Sequence, residues 1–315
     1  MMKGLDATYF AMKQYRCCGL TVIVVQVYIM CCFWMNLSCP IVNDMVCTTG
    51  TRPITHVNTA AEECPITWVT SYFKLTGKHS HAEYMMWIGN MRQIKKCLVV
   101  YTDVFNVSFG DPSTTLIVPT SLCAVSSYHL DMTGSERNSG SLVDPGCHLH
   151  NHYELYWKQA MNAFFLNATA VSNPFQSQSF FWIDSGYFRD NRYGGRDISG
   201  VKAHSIKPGV MTFMLLNPLW MWRINMHIPS PIFLDAIAGN LFGGDGSAVQ
   251  SWCTRYKQLL ILYRSSGLFW VNDKTMMNRI CFEIPGLCHY IRHNRALHES
   301  VWGALFPMII TDNYI

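Results

Sequence analysis

Charged residues are scarce in this chain of 315 residues: they make up 14% of it, against about 25% in an ordinary soluble protein. Half of the residues are apolar, which excludes an intrinsically disordered chain because disorder requires low hydrophobicity and high net charge. The formal net charge is only +4, and the basic residues are scattered, which argues against a nucleic-acid-binding protein. The sequence has no internal repeat, which argues against solenoids and propellers.

Three motifs that define large enzyme classes are also missing. There is no Gly-x-Ser-x-Gly elbow, P-loop or His-Glu-x-x-His pair, which argues against serine hydrolases, P-loop nucleotidases and zinc proteases. His148, His150 and His152 alternate, so on a strand their imidazoles would share a face as zinc ligands do. No carboxylate or cysteine follows at a metal-like spacing, so polar loop histidines are the favoured interpretation. A metal hydrolase is the remote alternative.

A long uncharged run lies near the amino terminus. Residues 17–34 contain no charged side chain, and at about 1.5 Å per residue they span about 27 Å, the thickness of a thin bilayer. Lys3, Lys13 and Arg16 precede the run and no basic residue follows before Arg52, so the amino end is expected in the cytoplasm. A cleaved signal peptide is the alternative, but bulky residues stand where its cleavage site requires small ones. The sequence therefore predicts an uncleaved type II anchor.

This topology predicts a single-pass protein of the Golgi or endoplasmic reticulum with its carboxyl-terminal domain in the lumen. The parts are a cytoplasmic tail (1–16), a transmembrane signal-anchor (17–36), a stem (37–65) and a luminal domain (66–315). Asn106-Val-Ser and Asn167-Ala-Thr are then glycosylation acceptors. Nine cysteines follow the anchor, an odd number, so at least one is free or intermolecular. Cys97 lies in an apolar run, where a buried thiol is favoured over a disulfide.

The luminal part alternates strand and helix patterns. Apolar and β-branched runs predict strands at 66–73, 97–101, 116–118, 179–184 and 209–216. Apolar side chains at helical spacing predict helices at 82–95, 153–165, 249–263 and 275–280. The alternation predicts an α/β fold whose mainly parallel sheet is covered by helices on both faces. The ligand crevice of such a sheet lies at the carboxyl ends of its strands.

Asp184 ends one of these strands, and Gly186 permits a tight turn after it. A carboxylate at a strand end can hold a divalent cation that neutralises a diphosphate, or can cap the turn with its own side chain. Asp273 precedes a helical stretch and is either its N-cap or a substrate-facing acid or base.

A glycine-rich segment, 238–247, precedes the clearest helix of the chain. Its backbone can approach a ligand closely, so a cleft built from Asn240, Gly243, Gly244 and Asp245 is one interpretation. The alternative is a plain turn in which Asp245 or Ser247 caps the helix.

Several blocks taken together resemble the HtrL/YibB family, also described as WlaTC/HtrL-type glycosyltransferases. The blocks are Thr67-Trp-Val-Thr-Ser-Tyr-Phe, His79-Ser-His-Ala-Glu-Tyr-Met-Met-Trp87, Leu98-Val-Val-Tyr-Thr-Asp103, Glu154-Leu-Tyr-Trp-Lys158, Asn173-Pro-Phe-Gln-Ser177, Phe181-Trp-Ile-Asp184-Ser-Gly-Tyr-Phe-Arg189, Ala238-Gly-Asn-Leu-Phe-Gly-Gly244 and Val271-Asn-Asp273. They lie within residues 66–290, and the block that ends at Arg189 is the most specific.

The resemblance implies a GT-A-like domain that uses a nucleotide-sugar donor and a glycan acceptor, with Mn²⁺ or Mg²⁺ as the implied metal. It implies that Asp184 is the carboxylate for metal and diphosphate, that 238–246 lines the cleft and that Asp273 is a late acidic residue. Two positions depart from the family: Asp184-Ser-Gly186 lacks the second carboxylate of Asp-x-Asp, and Lys274 stands where a glutamine is usual. Both departures favour the alternative of a catalytically inactive, glycan-binding or scaffold protein.

Sugar transfer releases a nucleoside diphosphate, so a cation must meet its growing negative charge. A metal on Asp184 would supply that charge, and so would the basic loop 189–209 closing over the site. We predict four further residues that bind the donor: Lys158, Trp182, Gly186 and Arg189.

Overall fold

The computed structural model describes residues 64–75, 79–94, 97–104, 108–121, 153–189, 206–215, 237–266 and 273–292. The predicted tail and anchor, most of the stem, the three alternating histidines and residues 190–205 of the basic loop lie outside these ranges. Within them, no helix is both long and apolar enough to cross a bilayer.

The described part contains seven strands and four α-helices. In chain order they are β1 (Ile66–Tyr72), α1 (His81–Asn90), β2 (Leu98–Thr102), β3 (Thr115–Pro119), α2 (Tyr153–Ser172), β4 (Ser179–Ile183), β5 (Met211–Leu215), β6 (Ile237–Asp245), α3 (Gly246–Ser265), α4 (Asp273–Glu283) and β7 (Cys288–Arg292). Short 3₁₀ turns occupy Met91–Gln93 and Pro285–Leu287. Every strand and helix that the sequence predicts is present, whereas β6 and β7 were not predicted.

The strands form one sheet in the order β3-β2-β1-β4-β6-β5-β7. Strand β6 runs antiparallel to both of its neighbours, and the other paired strands are parallel. The prediction of a mainly parallel sheet is therefore confirmed. The strand order reverses at β1, which has β2 on one side and β4 on the other. Such a reversal leaves a crevice at the carboxyl ends of the strands, and β4 ends there.

Two apolar cores cover the two faces of the sheet. Phe180 and Trp182 face one core, which they share with α2, α3 and α4. Phe181 and Ile183 face the other core, where α1 packs. Successive side chains of a strand point to opposite faces, so a strand buried on both faces has to be apolar throughout. This explains the unbroken apolar runs of the sequence.

Two disulfides lie within the described residues, Cys64–Cys97 and Cys281–Cys288. The prediction of a buried thiol at Cys97 is wrong, because the parallel pairing of β1 and β2 brings the residues before each strand together, with the two α-carbons 6.4 Å apart. Cys253 of α3 is a buried free thiol.

The predicted glycan acceptor Asn167 lies inside α2, and its amide oxygen is buried. The sugar chain would be attached to the amide nitrogen of this half-buried side chain, so glycosylation at Asn167 stays a prediction. The other predicted acceptor, Asn106, lies outside the described residues.

Candidate functional site

Asp184 is the first residue after β4, at the crevice end of the sheet. Its backbone N–H donates to the carbonyl oxygen of Asn240 on β6 at 2.9 Å, and its own carbonyl accepts from the N–H of Tyr187 at 2.8 Å. These bonds fix the strand end and close a tight turn, while 27% of the Asp184 side chain stays exposed. The carboxylate therefore lies partly exposed at the end of the sheet.

A buried lysine from α2 faces this carboxylate. Lys158 Nζ donates to Asp184 Oδ2 at 2.9 Å, and only 10% of the lysine side chain is exposed. The backbone N–H of Gly186 donates to the other oxygen, Oδ1, at 2.8 Å. Burial would raise the pKa of Asp184, but Lys158, the Gly186 N–H and Arg189 outweigh it and hold that pKa below its usual range. Burial would lower the pKa of Lys158, but Asp184 outweighs it and raises that pKa.

Arg189 adds a second cation beside Asp184. Its guanidinium carbon lies 4.7 Å from the centre of the Trp87 ring, and its Nε donates to the Gly186 carbonyl oxygen at 3.2 Å. A Cβ at Gly186 would lie 3.1 Å from Asp184 Oδ1 and 3.2 Å from the Trp87 ring. Glycine therefore allows the indole, the turn and the carboxylate to lie against one another.

Asp273 begins α4 and is a second buried carboxylate in this region, with 5% of its surface exposed. Asn162 Nδ2 donates to its Oδ2 at 3.0 Å, and the backbone N–H of Lys274 donates to its Oδ1 at 2.8 Å. Burial raises the pKa of Asp273 to about 6, although the charges of Lys274 and Lys158 oppose that rise. Lys158 and Asn162, one turn apart on α2, bond to Asp184 and Asp273 respectively, and the adjacent β6 residues Asn240 and Gly239 lie against the same two carboxylates, so both belong to one site.

The first residues of β6 complete the site. A Cβ at Gly239 would lie 2.9 Å from Asp273 Oδ1, so only glycine lets this strand pass so close to the carboxylate. Asn240, the next residue, is 8% exposed and bonds to Asp184 through its backbone. Of the predicted cleft residues on β6, Asn240 is therefore the one that lies beside Asp184.

Trp182 lies beneath the site and does not line it. Its side chain is completely buried in β4 and stacks on Phe242 of β6. The ring centre is 5.3 Å from Lys158 Nζ, so the indole supports the lysine through a cation–π contact. The predicted contact between Trp182 and a donor is therefore wrong, because the residue points into the core.

Three further predicted cleft residues, Gly243, Gly244 and Asp245, lie away from Asp184. Gly243 pairs with Phe181 in the middle of β4, and Gly244 and Asp245 continue toward the opposite end of the sheet. The segment is strand β6, and its antiparallel register pairs Asp245 with Ser179, at the start of β4. A Cβ at Gly243 would lie 2.2 Å from the carbonyl oxygen of Phe180, so this glycine serves close strand packing. Asp245 Oδ1 accepts from the Ala248 N–H at 2.8 Å and from the Ser247 hydroxyl at 2.6 Å. The alternative interpretation, an N-cap of α3, is confirmed.

Three residues of the site, Tyr84, Trp87 and Asn162, had no predicted role, whereas Gly239 belongs to the segment 238–246 that was predicted to line the cleft. Asn162 is 1% exposed and stands four residues after Lys158, so both side chains leave α2 on the same face. A polar residue on the buried face of an apolar helix is the signal that could have found it. Tyr84 is coupled electrostatically to Asp184, and burial and that charge raise its pKa although Lys158 and Arg189 lower it.

The side chains around Asp184 do not fit a divalent cation. Magnesium and manganese require several oxygen ligands, usually including more than one carboxylate. Within the described residues, no group of three or more His, Cys, Asp or Glu side chains is placed to hold a metal. Both oxygens of Asp184 already accept hydrogen bonds, and an ammonium 2.9 Å away would repel a cation. The predicted Mn²⁺ or Mg²⁺ at Asp184 is therefore not compatible with this geometry.

Comparison with known proteins gives little beyond this geometry. No family model matches the chain, and no curated protein matches it. One solved structure that is similar is the apo form of mouse xyloside xylosyltransferase 1, which is 7% identical. The match covers 78% of this chain and 93% of that chain with a TM-score of 0.39. At that score the likeness is loose, and no role is transferred from it; the resemblance to the HtrL/YibB family stays a prediction.

Proposed function

We propose that the protein is a glycosyltransferase that moves a sugar from a nucleotide-sugar donor to a glycan or glycoconjugate acceptor. The observation that carries the proposal is the Asp184–Lys158 pair beside Arg189, at the point of the sheet where the strand order reverses. Open α/β sheets bind their ligands at that point. The sequence blocks that resemble a glycosyltransferase family converge on the same residues.

The charges of the site suit the release of a nucleoside diphosphate. The transition state of sugar transfer resembles an oxocarbenium ion, while negative charge grows on the leaving diphosphate. The guanidinium of Arg189 can grip phosphate oxygens in a bidentate manner, and Lys158 adds a second positive charge. Asp184, kept ionised by Lys158, supplies the negative charge that faces the sugar ring.

Asp273 is the candidate general base of this proposal. A pKa of about 6 leaves the carboxylate largely ionised at pH 7 and more basic than an ordinary aspartate. It is thereby suited to take the proton of an acceptor hydroxyl as the new glycosidic bond forms. Asn162 and Lys274 hold its two oxygens in place.

Two amide oxygens of the site support a carbohydrate ligand. The side-chain oxygens of Asn162 and Asn240 are buried and have no hydrogen-bond partner among the described residues. Leaving such an oxygen unpaired costs about 1–3 kcal/mol, so a bound group that donates hydrogen bonds would be stabilised there. The hydroxyls of a sugar are donors of this kind.

The cellular location is part of the proposal. The uncharged run at 17–34 and the basic residues before it favour a type II anchor with the domain in the lumen of the Golgi or endoplasmic reticulum. The two disulfides support this location, because disulfides persist in oxidising compartments and are rare in the cytosol.

The direct test is incubation of the full chain with a panel of UDP- and GDP-sugars, followed by detection of the released nucleoside diphosphate. We expect release with at least one donor, and Asp184→Asn should lower its rate by about 100-fold or more, the usual effect of removing one transition-state contact. Asp245→Asn is the matched control, since it changes an aspartate at the opposite end of the same sheet and should leave the rate unchanged. A parent without activity on any donor, or an Asp184→Asn variant as active as the parent, contradicts the proposal.

Loss of activity through misfolding has to be separated from loss of chemistry. Asp184→Asn leaves Lys158 buried without its partner, which destabilises the fold. The double variant Asp184→Asn/Lys158→Met removes both charges, and we expect it to recover most of the lost thermal stability but none of the activity.

A binding protein that has lost its chemistry is the second candidate function. It is favoured by the single carboxylate at Asp184 and by Lys274 in the position after Asp273. Thermal-shift measurements distinguish the two functions, because UDP or GDP stabilises a transferase but not a protein that binds only glycans.

A further inference from the structure

We infer that Lys158 takes the place of a divalent cation beside Asp184, so that the diphosphate of the donor binds without metal. The inference deepens the proposed function and rests on it for the identity of the ligand. It concerns this chain's own residues, which supply a cation where the sequence resemblance implied a metal.

Both oxygens of Asp184 are already hydrogen-bonded, so a metal would have to compete with an ammonium for this carboxylate. Oδ2 accepts from Lys158 Nζ at 2.9 Å and Oδ1 accepts from the Gly186 N–H at 2.8 Å. The ammonium itself lies between this carboxylate and the ring of Trp182, 5.3 Å from the ring centre. A metal ion that took the carboxylate would leave the ammonium buried against the indole without its counter-charge, which is strongly unfavourable.

The positions of the charges, rather than their sum, favour an anion. Lys158 pairs with Asp184, and the Trp87 ring and the Gly186 carbonyl hold Arg189 beside the same turn. Asp273 is the remaining carboxylate of the site, and both of its oxygens accept hydrogen bonds. The charges of Lys158, Arg189, Asp184 and Asp273 cancel, but both cations lie beside the turn at Asp184, where a diphosphate would be attracted to them and a divalent cation would have to displace Lys158.

Calorimetric titration of the full chain tests the inference with inorganic pyrophosphate, UDP and GDP in EDTA, and with Mn²⁺ alone. We expect pyrophosphate and at least one of the two nucleotides to bind in EDTA, with dissociation constants that change less than threefold when EDTA is replaced by Mn²⁺. Lys158→Met and Arg189→Met should each weaken pyrophosphate at least tenfold. Lys257→Met is the matched control, because this lysine is on the exposed face of α3, and it should bind pyrophosphate as the parent does.

Each result has a defined meaning. Anion binding that requires Mn²⁺, no pyrophosphate binding under either condition, or full-strength binding by both Lys158→Met and Arg189→Met overturns the inference. Appearance of a Mn²⁺ site in Lys158→Met, where Asp184 is released, supports it. Pyrophosphate binding in EDTA without binding of UDP or GDP supports the anion site and contradicts the proposed function. If Lys158→Met does not fold, Arg189→Met and the EDTA comparison on the parent decide the question.

Discussion

The paired strands β4 and β6 carry one aspartate each at opposite ends of the sheet, Asp184 and Asp245. The two carboxylates differ in the groups that they bind. Asp245, at the end of β6, accepts hydrogen bonds from Gly209, Ser247 and Ala248, so groups of the adjoining backbone and a neighbouring hydroxyl satisfy it. Asp184, at the end of β4, holds the buried ammonium of Lys158 from α2. A carboxylate that accepts only from uncharged donors stabilises the fold, whereas one that holds a buried cation from another element has the electrostatics of a binding site.

Strand β6 runs between these two ends of the sheet. Substitution of Gly243 tests whether β6 pairs closely with β4 along its length. Gly243→Ala places a methyl group 2.2 Å from the carbonyl oxygen of Phe180 and 2.5 Å from the Phe181 side chain. The backbone cannot yield there without breaking the β4–β6 pairing, so we expect a loss of more than about 4 kcal/mol, at the extreme of single substitutions. Circular dichroism melting of the purified protein would show no cooperative transition.

The control for this prediction is Gly89→Ala, at a glycine of α1 where an added Cβ meets nothing within 4 Å. Alanine favours a helix more than glycine does, so this variant should be as stable as the parent or more stable by about 0.5–1 kcal/mol. A Gly243→Ala variant that melts like Gly89→Ala would mean that β6 does not pair with β4 as described.

Asp273, at the same end of the sheet as Asp184, should make the stability of the fold depend on pH. The folded chain raises the pKa of this carboxyl to about 6, so folding favours its protonated form. Stability therefore falls as the pH rises from about 4 to about 6 and is level above that range. Asp273→Asn removes the loss and should stabilise the protein at pH 7.5 by about 3 kcal/mol, with the difference vanishing below pH 4.

Thermal melts of the parent and of Asp273→Asn between pH 3.5 and 8 measure this effect. The variant should also lose transfer activity while gaining stability, since the proposed general base is gone. A variant less stable than the parent at pH 7.5 would mean that the hydrogen bonds from Asn162 and Lys274 outweigh the burial of the charge.

The sequence predicted the architecture well, because apolar periodicity reports local structure and burial directly. The strand that precedes Asp184 is apolar at every position after Ser179 and is expected to be covered on both faces, as it is. Strand β6 escaped prediction because its glycines resemble a turn. They are needed instead where Gly243 meets β4 and Gly239 meets Asp273, and both contacts join residues far apart in the chain.

About half of the site residues could not be identified from local sequence pattern either. Asp184 could be found, since a carboxylate that ends an apolar run is visible in the sequence. Its partner Lys158 was one of several basic candidates, and only the packing of α2 on the sheet shows that Lys158 is the buried one. Asn162 is visible in the sequence as a polar residue on the apolar face of α2, but only that packing shows that it contacts Asp273. The disulfide of Cys97 depended on the register of β1 and β2, which sequence spacing does not determine.

The smallest expected effect concerns Asp245, whose substitution should change stability alone. Burial acts to raise its pKa, but the bonds from Ser247, Gly209 and Ala248 outweigh it and lower that pKa. Its contribution to stability is therefore present at neutral pH and lost as the pH falls through that lowered pKa. Asp245→Ala should cost about 1 kcal/mol at pH 7, the usual loss of a helix cap, and lower the melting temperature by about 2–4 °C. The affinity for UDP should not change. A loss of nucleotide binding in this variant would mean that the ligand binds at the Asp245 end of the sheet, which contradicts a donor site at Asp184.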